Sequence, residues 1–63
     1  MAETELEMAE RYVAMGERHI LRQREVISEM KERGESTYAA CRLLQNFEDM
    51  QVQHIANRDR LLR

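Results

Sequence analysis

Four kinds of side chain in this 63-residue chain could do chemistry: the imidazoles of His19 and His54, the thiol of Cys41, a set of carboxylates, and a set of guanidiniums. Paired imidazoles on helices hold metals when each sits three residues after a carboxylate, the Glu-x-x-His pattern of di-iron bundles. Here Gln51 stands three before His54 and Gly16 three before His19, so that ligand set is missing. Cys41 would need a base beside it to act as a nucleophile. No histidine falls near it on one hairpin, and a free thiol at the edge of an apolar face behaves as a small hydrophobe. No catalytic constellation is visible, so a non-enzymatic protein without metal or cofactor is expected.

The guanidiniums raise a different question. Nine of the ten bases are arginine, and Arg11, Arg18 and Arg22 share one helix face, with Met8 and Met15 at the margin of the neighbouring apolar face. Together these five form a candidate partner-binding surface, since methionine adapts to varied apolar partners. Glu7, Glu25 and Glu29 are interleaved with the arginines, and 12 acids against 10 bases leave a net charge of −2. That balance gives no general attraction to nucleic acid or to anionic lipid. Nucleic acid is not an expected partner, and a salt-bridge-laced face accounts for the charges.

Two long helices must position these groups. The chain has no proline and only two glycines, and it is rich in strong helix formers. Thr4-Glu5-Leu6-Glu7 reads as a capping box, so helix 1 is predicted over about 4–33. Gly34 follows Lys31-Glu32-Arg33 and suits a left-handed helix end. Ser36 or Thr37 is expected to cap helix 2, over about 37–62, after a turn at 34–36. So short a connection predicts an all-α antiparallel hairpin, a single domain over 1–63.

Leu6, Val13, Ile20 and Ile27 recur every seven residues, with Ala9, Gly16, Gln23 and Met30 between them, as in the seam of an antiparallel coiled coil. A second stripe, Met8, Tyr12, Met15, His19 and Val26, widens the face to half the helix circumference. One neighbouring helix covers less than that. A single cysteine excludes an intrachain disulfide, so a partner is the remaining way to stabilise so small a domain. A homodimer, two hairpins forming a four-helix bundle, is therefore expected, with any further protein partner unknown. No apolar run is long enough for a transmembrane span or signal peptide, and a cytoplasmic protein is expected.

Polar residues interrupt the apolar stripes at Tyr12, Gly16, His19, Gln23, Gln51, His54 and Arg58. With the turn centred near residue 35, Gly16 lies opposite His54, Tyr12 opposite Arg58, and Gln23 opposite Phe47. Gly16 would then leave a notch for the His54 ring. Two readings stand side by side: a small-ligand or metal pocket at the Gly16/His54 seam, or internal hydrogen bonds that fix register.

Two resemblances bear on the function. Arg18-His19-Ile20-Leu21-Arg22-Gln23-Arg24-Glu25, the turn Arg33-Gly34-Glu35-Ser36-Thr37, Leu43-Leu44-Gln45-Asn46-Phe47-Glu48 and the tail His54 to Leu62 resemble a group of short uncharacterised bacterial proteins, to which no activity is attached. In length and topology the chain is also similar to the Rop family, whose hairpins dimerise into a four-helix bundle that binds paired RNA loops. That likeness implies an RNA-binding regulator as the alternative to a protein-interaction role.

Overall fold

The computed structural model describes residues 2–63, and it shows two helices, α1 (Glu5–Glu32) and α2 (Tyr38–Leu62), folded into an antiparallel hairpin of 47 × 21 × 13 Å. Among the described residues no helix is long and apolar enough to cross a membrane.

Both ends of α1 are sealed by local chemistry. The Glu7 amide donates to Thr4 Oγ1 at 3.1 Å, and the Thr4 amide donates to Glu7 Oε1 at 3.3 Å, which satisfies two of the free N–H groups of the first turn. At the other end Glu35 N–H reaches the Met30 carbonyl at 2.9 Å and Gly34 N–H the Lys31 carbonyl at 3.0 Å. Gly34 has φ +71°, the left-handed conformation this Schellman closure requires. Arg33 Nε donates to Glu35 Oε1 at 3.0 Å, and this hydrogen bond, with the Glu35 charge, raises the Arg33 pKa above its ordinary value.

The start of α2 differs from expectation. Thr37 occupies the N-cap position, but its hydroxyl caps nothing, and Ser36 lies outside the helix in the loop. The backbone explains why. Thr4 has the extended ψ of 163° that aims a capping hydroxyl at the helix, whereas Thr37 has ψ 7°.

The core is thin. Ala9, Val13 and Ile27 are its buried apolar side chains, and Gln51 is buried beside them. The cross-helix register also departs from the symmetric-turn expectation. Tyr12 meets His54 rather than Arg58, and Gly16 meets Gln51 rather than His54. Helix α2 is thus displaced by about one turn. The five residues between the helices, 33–37, are not a symmetric cap over two level helix ends. With His54 level with Tyr12 and Phe47 with His19, the start of α2 lies about one turn below the end of α1.

Candidate functional site

The polar seam residues divide into two groups with different roles. Gln51 and Gln23 lie between the helices. Gln51 Nε2 of α2 donates to the Val13 carbonyl of α1 at 2.8 Å, and Gln23 Nε2 of α1 donates to the Ala40 carbonyl of α2 at 2.9 Å. Each carboxamide thus bonds the backbone of the opposite helix, one towards each end of the hairpin. A one-turn slip would break both bonds and leave buried polar groups unpaired, which costs about 1–3 kcal/mol each.

Gly16 makes the Gln51 bond possible. A Cβ at residue 16 would clash with Gln51 Oε1 and lie 2.6 Å from its Cδ. Oε1, which has no hydrogen-bond partner, is thereby at most about 3.3 Å from the Gly16 Cα, within Cα–H···O range. The notch expected at Gly16 exists, and its occupant is the Gln51 carboxamide, not the His54 ring. Gly16 and His54 nevertheless both remain on the wall of one groove.

The second group faces outward. The His54 ring stacks on Tyr12, with centroids 5.6 Å apart and planes 22° from parallel, and His19 tilts against Phe47 at 5.5 Å. These four rings, with Met15, Gly16 and Met50, line an open groove of about 230 Å³ along one side of the hairpin. Gln23 and Arg58 are not among its lining residues, and Arg58 is taken up by Asp59 at 3.1 Å. Among the described residues, no three His, Cys, Asp or Glu side chains converge as metal ligands. Cys41 is exposed, beside Ile27 and Leu44 rather than in this groove.

The groove is the centre of a longer face. Helical spacing continues it through Met8 and Val26 on α1 and through Leu43 and Leu61 on α2. The central groove is lined by no Asp, Glu, Lys or Arg, whereas Glu5 and Arg60 flank the Met8/Leu61 end of the face. Much of the face is uncovered: Tyr12 is 41 % exposed, Leu43 43 % and Met50 54 %. The sequence-based partner surface named Met8 and Met15 here but omitted Leu43, Phe47 and Met50. The i, i+4, i+7 spacing of those three was the available signal. Arg11, Arg18 and Arg22 are exposed along the outer edge of α1 beside this face. Arg11 pairs with Glu3 at 3.1 Å, and Arg22 pairs with Glu25 at 3.3 Å and Glu29 at 3.6 Å. Among the described residues Arg18 has no ion-pair partner. No protein family, curated protein or solved structure matches the chain.

Proposed function

We propose that the hairpin is half of a homodimeric four-helix bundle acting as a non-enzymatic interaction or regulatory protein, with the face around the Tyr12/Phe47 groove as its dimer interface. The carrying observation is the surface area. A compact monomer of 7.6 kDa exposes roughly 4,300 Å² by the size scaling of folded chains, whereas this hairpin exposes 5071 Å². The excess, roughly 800 Å², reflects the elongated 47 × 21 × 13 Å shape and is similar in size to what one partner of a stable protein complex covers. Tyr38, Val52, Leu21 and Leu62 are more exposed but scattered, whereas Tyr12, Leu43, Phe47 and Met50 form a continuous face around a groove without charged lining, which lowers the cost of burying it.

Light scattering at micromolar concentration tests the proposal. The expected mass is twice 7.6 kDa, and a well-folded species of single mass defeats it. A Rop-like nucleic-acid role is the second reading, supported by the exposed row Arg11, Arg18 and Arg22. It requires the rows of two copies to lie together on one face of the bundle.

A further inference from the structure

Two hairpins can seat face to face in two ways. If the two-fold axis runs along the bundle, both turns lie at one end and α1 packs on the partner's α2. If the axis runs across the bundle, the turns lie at opposite ends and α1 packs on the partner's α1. We infer that the second copy seats with its Gly34 turn at the same end, so that the arginine edge of α1 lies along the amide edge of the partner's α2. The inference rests on the homodimer proposed above.

The charges beside the face decide between the two arrangements. Helical spacing puts Arg22, Arg11, Glu29 and Arg18 on the outer edge of α1, and Asn57, Asn46 and Gln53 on that of α2, with Asp49 beyond them. The Tyr12–His54 and His19–Phe47 contacts fix the heights of these groups along the bundle. With the turns together, Arg18 comes level with Asn46, Asp49 and Gln53 of the partner, and Arg11 with Gln53 and Asn57. Amide and carboxylate oxygens accept guanidinium N–H groups. The outlying cations of α2 also come level with acids, Arg42 with Glu25 (next to Arg22) and Arg60 with Glu7.

Turning the partner end for end removes this match. The α1 edges then run against each other about their own centre, close to Arg18. Arg18 meets the partner's Arg18, with Arg11 and Arg22 of each copy on either side. Three guanidiniums from each copy then share one edge, with Glu25 and Glu29 interleaved among them, but Arg18 still meets the partner's Arg18 at its centre and Asp49 meets the partner's Asp49 beside the amide edges. Like charges set opposite each other select against an arrangement even where opposite charges add little affinity.

The turn supplies the test. A nitroxide is placed on Ser36→Cys in a Cys41→Ser background; both positions are exposed and lie off the proposed interface. Dipolar spectroscopy on the full-length chain then reads the separation of the two turns. With the turns together, the labels are separated by the width of the bundle, about 25 Å for helices of 10–12 Å diameter. With the turns apart, they are separated by most of the 47 Å length of the hairpin. A distance near 25 Å supports the inference. A dimer mass with a distance beyond about 40 Å overturns it, leaves the homodimer standing and gathers the six arginines as the Rop-like reading needs. No dipolar signal, with a monomer mass, ends both this inference and the homodimer.

Discussion

The Gln51 carboxamide lies across the Cα of Gly16 with no room for a side chain between them, and from there it donates to the Val13 carbonyl at 2.8 Å. A glycine inside a helix costs about 1 kcal/mol relative to alanine. Here that cost permits a buried hydrogen bond between the helices.

Gly16→Ala should therefore destabilise the protein despite its better helix propensity. Evicting the carboxamide from its bond costs about 1–3 kcal/mol against a gain of about 1, for a net loss of about 1 kcal/mol. Gln51→Ala alone should also destabilise. Once Gln51 is gone, adding Gly16→Ala should become stabilising, which a double-mutant cycle in urea measures. Additive single effects would show that the two residues are not coupled.

The turn offers a cleaner case of backbone strain. A Cβ at Gly34 meets nothing within 4 Å, so only the positive φ opposes a side chain there. Gly34→Val should cost about 1–2 kcal/mol, and Gly34→Asn distinctly less, because asparagine tolerates this conformation. Equal losses for both variants in thermal melts would contradict a purely conformational cost.

The two helix starts should respond differently to the same change. Thr4→Ala removes the capping box and should cost about 1 kcal/mol. Thr37→Ala removes no capping bond, so its effect should stay within about 0.5 kcal/mol. A larger effect at Thr37 than at Thr4 in denaturant titration would be inconsistent with the observed caps.

A charge placed on the open face should separate the copies. Met50 is 54 % exposed in the hairpin, so Met50→Lys hardly alters a lone hairpin. In the proposed dimer it buries an unpaired ammonium, and the mass should fall to that of one chain at micromolar concentration. Val52→Lys, at a position 67 % exposed on another side, is the control and should leave the mass unchanged. If Met50→Lys also leaves the mass unchanged, the interface lies elsewhere.

What was legible in the sequence follows from how local each signal is. The Thr4–Glu7 box and the Gly34 turn depend on residues within one helical turn, and both can be read from residue type and spacing. The register of α2 depends on how residues 33–37 set the level at which it starts, and no side chain there declares that level. That single uncertainty moved every cross-helix pairing by a turn and assigned the Gly16 notch to His54. The seam positions of Gln23 and Gln51 follow from helical periodicity. That each would reach a backbone carbonyl of the opposite helix does not, because it depends on that register.

The unequal sealing of the two helices implies an order of assembly. Helix α1 has side-chain or backbone caps at both ends from within its own sequence, and both helices, 28 and 25 residues long, exceed the ~12–15 below which isolated helices are marginal in water. Helix α2 lacks a side-chain cap where it leaves the turn, so more of its helicity must come from docking. Folding should therefore begin with α1, and α2 should consolidate along it outward from the turn, where closing the chain requires the smallest loops. Slow hydrogen exchange should accordingly be strongest in the middle of α1. The first turn of α2 should open often without global unfolding, and the frequency of that opening is set by the single cap that Thr37 does not supply.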